Sequence, residues 1–168
     1  MLRPFAVLLV SAALPAHAQS DLIETARNAY AAAWALAPLS IGTTAFVTRP
    51  PQLIGDIVER QDARFAPGEE ILIYAEPWGY DYIQTIDGYE FGFDLDMEVL
   101  DRTGAVVFAQ DGFQSIRLSS RHEVREFVML VALDFDGFDP GPYTVRLQAN
   151  DIASDQSSTF SMAFVLTP

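Results

Sequence analysis

The sequence predicts a mainly β protein, an antiparallel β-sandwich of about eight strands with one N-terminal α-helix. From Thr43 onward, apolar and polar residues alternate with a period of two, which is typical of strands with one buried face. Turn signals rich in Pro, Gly and Asp separate these segments, as in Arg49-Pro50-Pro51 and Asp136–Pro142. No helical periodicity lies between them, so a parallel α/β fold lacks the crossover helices that it needs. The pattern therefore favours one sandwich domain over residues 43–168.

Residues 19–42 are predicted to form the helix and its connection to the strands. Asp21-Leu22-Ile23-Glu24 fits a capping box, in which the Asp21 side chain accepts a hydrogen bond from the Glu24 backbone N–H. Pro38 ends the helical pattern. We expect the apolar face to pack against the domain, with docking of a partner as the alternative. Its apolar positions, at three- and four-residue spacing, are Ile23, Ala26, Tyr30, Ala33, Trp34 and Ala37.

Three long alternations predict half-buried strands, namely Phe91–Val99, Tyr143–Asn150 and Phe160–Leu166. Residues Val124–Phe135 are apolar at both parities for much of their length, which predicts a central strand covered on both faces. The shorter strand candidates are Thr43–Thr48, Gly55–Arg60, Glu70–Glu76, Ala105–Gln110 and Phe113–Ser119.

The first eighteen residues have the three parts of a secretory signal peptide. Arg3 supplies the positive charge, Phe5–Leu14 the apolar run, and Ala16-His17-Ala18 the small-x-small cleavage site. The alternative is an ordinary apolar helix, and the run is too short to span a bilayer. The order of the three parts favours export, so the sequence predicts a periplasmic or extracellular protein whose mature chain begins at Gln19.

The composition excludes several classes of protein. The chain carries a formal charge of −13 and contains no Cys, no Lys and two His. It therefore has no disulfide framework, thiol nucleophile, Schiff-base lysine or Walker-type phosphate loop, and the sequence predicts no cofactor. Phosphate backbones and anionic lipid surfaces repel so acidic a chain, which argues against nucleic-acid partners and membrane insertion. A protein or a glycan ligand is the remaining expectation, and the oligomeric state is left open.

Several turns resemble those of Ig-like β-sandwich modules of exported bacterial proteins. The shared features are the Pro67-Gly68-Glu69 turn before an apolar strand, the Asp101–Gly104 hairpin, and Pro140–Val145 followed by Asn150-Asp151. The resemblance covers roughly Phe65 to Leu166. It implies an Ig-like sandwich and carries no functional residues over to this chain, because such modules share a fold and not an activity.

The sequence favours a protein that is not an enzyme. His122 follows Ser119 and Ser120, but no strained G-x-S-x-G turn is present to expose a nucleophile, and a solvated loop histidine is the expectation. Asp94, Asp96 and Glu98 lie on one face of a predicted strand, where a solvated acidic face is favoured over a catalytic pair. A carboxylate-based secreted hydrolase therefore remains the alternative function.

The segment Asp134–Asp139 gathers three carboxylates around a glycine, which suggests calcium. Its spacing fails the EF-hand pattern, and acidic turns are common between strands for reasons of backbone geometry. The sequence therefore predicts no metal site, with Asp134, Asp136 and Asp139 as weak candidates.

Four aromatic residues are the candidate binding residues. Trp78, Tyr80, Tyr82 and Tyr89 crowd a connection that Pro, Gly and Asp interrupt. Amphipathic rings on loops are typical of glycan and protein contact surfaces, although the same rings could cap the core. The sequence thus predicts an exported, non-enzymatic module that binds or braces at the cell envelope; a purely structural envelope protein is a further alternative.

Overall fold

The computed structural model describes residues 16–168. Arg3 and the apolar run of the predicted signal peptide lie outside these residues, so export stays a prediction. The described chain contains one helix and nine strands in two sheets, which confirms the prediction of a mainly β protein with one helix. The elements are α1 (Ala16–Leu36), β1 (Ser40–Val47), β2 (Arg64–Phe65), β3 (Ile71–Trp78), β4 (Ile83–Thr85), β5 (Gly88–Leu100), β6 (Val106–Ser120), β7 (Met129–Leu133), β8 (Gly141–Asp151) and β9 (Ser157–Leu166).

The chain divides into two compact units, with the boundary after Trp34. Helix α1 already includes the five described residues before Asp21, so the predicted capping box at Asp21 is wrong. Asp21 lies inside the helix, where its carbonyl oxygen accepts a hydrogen bond from the Thr25 hydroxyl at 2.7 Å. Alanine is the best helix former, and the alanines that precede Asp21 let the helix begin earlier. Among residues 16–168, no helix is long and apolar enough to cross a membrane.

The smaller sheet has the order β1-β3-β7 and is antiparallel throughout. Strand β3 is its central strand, with every residue from Ile71 to Ala75 buried. The sequence had assigned a central position to Val124–Phe135, and this prediction is wrong. Only Met129–Leu133 forms a strand there, and it pairs with β3 alone at the end of the sheet. Gly55–Arg60 is not a strand either, since only Glu59 forms an isolated bridge, with Val47.

The larger sheet has six strands, ordered β2-β9-β8-β5 with β4 and β6 also paired to β5. Strand β6 combines the two predicted segments Ala105–Gln110 and Phe113–Ser119, and a register shift opposite Leu95–Met97 marks the irregular point between them. Strand β4 was not foreseen. After a turn at Asp87 the chain pairs with it through the first residues of β5, on the edge opposite β6 and before Phe93, where the pairing with β8 begins.

Aromatic side chains of the two sheets meet in a buried core. The Phe46 ring of β1 contacts Phe65 at 5.2 Å and Phe164 at 6.4 Å between ring centroids, which joins the smaller sheet to β2 and β9. Strand β5 supplies its predicted apolar face to this core, because alternate residues from Phe91 to Val99 are buried. The intervening side chains point to the opposite face of the sheet.

Candidate functional site

Trp78 lies at the end of β3 and is 47% exposed. The residues before it on β3 are mostly buried, and its backbone pairs with Ser40 of β1. A large ring on a paired strand is held with little conformational freedom, which lowers the entropy cost of binding a ligand. Trp78 therefore presents part of its ring to solvent.

Tyr80 does not belong to an exposed surface, which corrects the sequence assignment. Its side chain is 1% exposed, and its hydroxyl donates a hydrogen bond to the Val124 carbonyl oxygen at 2.5 Å. Its ring stacks on Phe91 at 5.4 Å between centroids. The cause is a sharp turn at Gly79, with a φ of 74°, where an added Cβ would lie 2.6 Å from the Pro38 carbonyl oxygen. This turn directs the next residue into the core.

Tyr82 and Tyr89 are both half-buried. The Tyr82 hydroxyl donates a hydrogen bond to the Val124 carbonyl oxygen at 2.6 Å, so this oxygen accepts from two tyrosines. The ring of Tyr89 meets that of Tyr82 edge-on at 6.0 Å between centroids. Tyr82 thus connects the buried ring of Tyr80 to the more accessible ring of Tyr89, which it holds in place.

Asp151 supports the same segment and was not singled out from the sequence. Its carboxylate is 6% exposed and accepts hydrogen bonds from the backbone N–H of Asp81 at 2.8 Å and of Ala153 at 2.9 Å. The Ser154 hydroxyl donates a third bond at 2.9 Å. Asp151 therefore ties the turn after β8 to the aromatic segment. The sequence feature that could have indicated this role is an aspartate followed by a polar turn. In such turns the Asp side chain accepts a hydrogen bond from the backbone N–H two residues later.

A cleft of about 360 Å³ opens beside the start of β5, and we call it the hairpin cleft. It forms because β4 and β6 flank the same residue: Tyr89 is the register partner of both Gln84 and Ser120. At the turn, an added Cβ on Gly88 would lie 2.2 Å from the Ser120 carbonyl oxygen, so only glycine allows this approach. The residues that line the hairpin cleft are Thr85, Asp87, Tyr89, Ser119, Ser120 and Arg121.

The polar side chains of the hairpin cleft have few partners within the protein. Within residues 20–168, Thr85, Asp87, Ser119 and Arg121 form no side-chain hydrogen bond or ion pair with the protein. The Ser120 hydroxyl oxygen accepts a bond from the His122 backbone N–H at 3.3 Å. This contact does not involve the imidazole, so it does not activate the serine as a nucleophile.

The acidic stripe, formed by Asp94, Asp96 and Glu98, has partners on neighbouring strands. Arg117 donates to both Asp94 oxygens at 3.0 and 2.9 Å, and Arg146 donates to Glu98 at 2.8 Å. Asp96 accepts from the Asn150 amide at 2.8 Å and from the Gly112 backbone N–H at 2.7 Å. The stripe is thus a network of cross-strand pairs.

The Arg117 side chain and, second, the Ser115 hydroxyl hold the pKa of the Asp94 carboxyl below its ordinary value. Both groups hydrogen-bond to the carboxylate and so favour its charged form. Further along the stripe, Asp96 and Glu98 line a polar hollow of about 530 Å³ together with Asp111.

Local hydrogen bonds hold the acidic turn before β8. Asp134 accepts a hydrogen bond from the Asp136 backbone N–H at 2.9 Å, and the Asp139 carbonyl oxygen accepts one from the Tyr143 hydroxyl at 2.9 Å. Across the part of the chain that the structure describes, no three His, Asp or Glu side chains are grouped as metal ligands would be. The weak calcium candidates are therefore not brought together.

Comparison with known proteins assigns the chain to no family. No family model and no curated protein matches the sequence. Among solved structures, the chain is similar to the Pseudomonas fluorescens alkylpurine DNA glycosylase AlkC bound to DNA containing an abasic site analog, with 12% identity and a TM-score of 0.41 over 79% of this chain and 31% of that one.

Two further structures show similar weak likeness. Spo0M, a sporulation control protein of Bacillus subtilis, is 9% identical with a TM-score of 0.39 over 79% of this chain and 51% of its own. The CARDB domain of a Pyrococcus furiosus protein is 9% identical with a TM-score of 0.29 over 77% of this chain and 93% of its own. The chain spans about a third of the glycosylase and half of Spo0M, and none of these likenesses assigns an activity.

Proposed function

We propose that this chain is an exported, non-enzymatic binding module whose two sheets form an Ig-like sandwich. Its contact surface is the aromatic end, which we define as Trp78, Tyr82 and Tyr89 together with the hairpin cleft. Export is supported by the signal-peptide features of residues 1–18. The Ig-like arrangement is supported by the turn resemblances over Phe65–Leu166 and by the antiparallel pairing of β5, β8 and β9.

The observation that carries the binding role is the exposure of Trp78 on a paired strand. Large aromatic side chains contribute most of the energy of many interfaces, and a ring with 47% of its surface exposed leaves that contribution available. Tyr89 adds a second accessible ring beside uncommitted polar groups. The ligand is a protein or a glycan of the envelope. A nucleic acid is disfavoured because the charge of −13 opposes phosphate contacts.

The test combines export with binding. N-terminal sequencing of the protein from the envelope fraction is expected to begin at Gln19, and a cytoplasmic chain that retains Met1 would contradict export. The purified protein is then screened against a glycan array and against envelope proteins. Trp78→Ala is expected to lower ligand capture at least about tenfold, as truncation of an interface anchor does.

Phe108→Ala is the matched control, because Phe108 is also an exposed aromatic, at 39%, but lies on β6 outside the aromatic end. It is expected to leave capture unchanged. Equal losses in both variants would overturn the assignment of the surface. No capture by the wild type would favour a purely structural envelope protein.

A carboxylate-based hydrolase is the second candidate, and the polar hollow beside the acidic stripe is the observation that favours it. Asp96 and Glu98 are alternate residues of one strand, so they lie on one face with Cα atoms roughly 7 Å apart, and inverting glycosidases use two carboxyl groups roughly 6.5–9.5 Å apart. Asp96→Asn would abolish such an activity. Turnover of a glycoside by the wild type and not by this variant would replace the binding module with the enzyme.

A further inference from the structure

The hairpin cleft presents an aromatic ring beside polar groups that the fold leaves uncommitted. Tyr89 is half-buried, and its hydroxyl forms no hydrogen bond with residues 20–168. Asp87 and Arg121 likewise have no charged partner in that part of the chain. We propose that the hairpin cleft is a binding subsite for one ring of an uncharged saccharide. This inference rests on the proposed function, and it names the ligand class of one part of the aromatic end.

The combination of groups suits a sugar ring. A pyranose has an apolar face of C–H groups, which packs on an aromatic ring, and an edge of hydroxyls, each of which both donates and accepts hydrogen bonds. The cleft supplies a carboxylate acceptor, a guanidinium with several donors, and hydroxyls that can do both. Its volume of about 360 Å³ lies at the small end of the range for small-molecule sites, roughly 300–1,000 Å³.

The charges favour a neutral sugar over an acidic one. Asp87 and Arg121 balance each other within the cleft. The rest of the chain is strongly acidic, with a formal charge of −13, so its field repels an anionic ligand before it reaches Arg121. A protein ligand would need a larger contact area than this cleft provides, since specific protein interfaces bury about 800 Å² per partner.

The backbone around the cleft is fixed before any ligand arrives. Gly88 approaches Ser120 too closely for any other residue, and the pairing of β5 with β4 and β6 sets the position of Tyr89. The Tyr82 ring, anchored by its hydroxyl at Val124, supports Tyr89 from the side. A prearranged site reduces the ordering cost of binding, which matters for a small ligand with few contacts.

The test is a titration of the ¹⁵N-labelled protein, followed by NMR, with cellobiose, maltose and N,N′-diacetylchitobiose. Concentrations reach about 50 mM, because an open cleft with one ring is expected to bind in the millimolar range. We expect at least one sugar to give saturable shifts confined to the amides of residues 85–90 and 119–121. Tyr89→Ala is expected to abolish these shifts, and Asp87→Ala, which does not disturb ring packing, to weaken binding about tenfold.

Arg121→Ala and Arg102→Ala form a matched pair. Both remove one exposed arginine, but Arg102 lies in the turn at the opposite end of the β5–β6 hairpin. We expect Arg121→Ala to weaken binding about tenfold and Arg102→Ala to change it less than about twofold.

Four outcomes would overturn the inference: no saturable shift with any of the three sugars, shifts outside the cleft, equal effects of the two arginine variants, or tighter binding of digalacturonate than of the neutral sugars. The proposed function is judged separately by ligand capture that depends on Trp78. Ligand capture without sugar binding would refute only the saccharide subsite. If neither ligand capture nor sugar binding is seen, the proposed function and the saccharide subsite are both refuted.

Discussion

Charged side chains on strand β5 and those beside its first residues are in different situations. On the strand, the acidic stripe forms cross-strand pairs with Arg117, Arg146 and Asn150. Around its start, Asp87 and Arg121 face the hairpin cleft without a protein partner among residues 20–168. A dense row of carboxylates can therefore be structural, while a sparse group of polar residues is the better candidate for ligand binding. What distinguishes them is whether the fold already satisfies their hydrogen bonds.

The largest expected effect extends this comparison to two tyrosines. Tyr80 is fully packed and hydrogen-bonded, whereas Tyr89 is half-buried at the cleft. Tyr80→Ala leaves a cavity and removes one of the two hydrogen bonds to the Val124 carbonyl oxygen, so we expect it to lower the free energy of unfolding by about 3–5 kcal/mol. Tyr89→Ala is expected to cost about 1 kcal/mol. Urea unfolding of both variants measures the difference. Similar losses of unfolding free energy would contradict the assignment of Tyr80 to the core and of Tyr89 to the cleft.

Asp151 allows a measurement of how much a fully hydrogen-bonded carboxylate contributes to the stability of the fold. Asp151→Ala removes an acceptor from two backbone N–H groups and one hydroxyl in a buried place. Each donor left without a partner costs about 1 kcal/mol or more, so we expect a loss of roughly 2–4 kcal/mol. Hydrogen exchange at the Asp81 and Ala153 amides should accelerate in this variant. If exchange there is unchanged, Asp151 does not hold the aromatic segment.

The pairing of Asp94 with Arg117 is expected to have a smaller effect that depends on pH. The pKa of Asp94 is lower in the folded protein, so the pair stabilises the fold above the unfolded pKa, about 3.9. This contribution is lost as the pH falls through the lower folded pKa. Since both side chains are more than two-fifths exposed, we expect Arg117→Ala to cost only about 0.2–1 kcal/mol at pH 7.

The cost of Arg117→Ala should shrink as the pH falls below about 4, and urea unfolding at pH 7 and pH 3 measures it. Arg102→Ala serves as the control for loss of a positive charge, because Arg102 lies in the β5–β6 turn. A cost that grows on acidification would contradict the pairing.

The smallest expected effect is at the cleft. Asp87→Ala should change the free energy of unfolding by less than about 0.5 kcal/mol, because the carboxylate has no described partner to lose. The same urea titration measures it beside Asp151→Ala. A loss above about 1 kcal/mol would show that Asp87 supports the fold, and the contrast between the acidic stripe and the hairpin cleft would then disappear.

The sequence by itself determined the class of fold and many of the strands. The alternation of Phe91–Val99, Tyr143–Asn150 and Phe160–Leu166 gave strands β5, β8 and β9, because the period of two is a property of neighbouring residues. It also placed the turns, since Pro, Gly and Asp act through local backbone geometry. The helix of the described residues was foreseen for the same reason, although the sequence placed its cap at Asp21, which lies inside it.

Only the tertiary structure decided which apolar segment is central and which aromatic residues are accessible. Strand β3 became the central strand of the smaller sheet in place of Val124–Phe135, because strand order depends on pairing between distant segments. Tyr80 became a core residue and Trp78 stayed exposed, although they are two positions apart, because the turn at Gly79 reverses the expected direction. The hairpin cleft itself lies between residues 85–89 and residues 119–121. A local sequence pattern does not predict contact between segments so far apart in the chain.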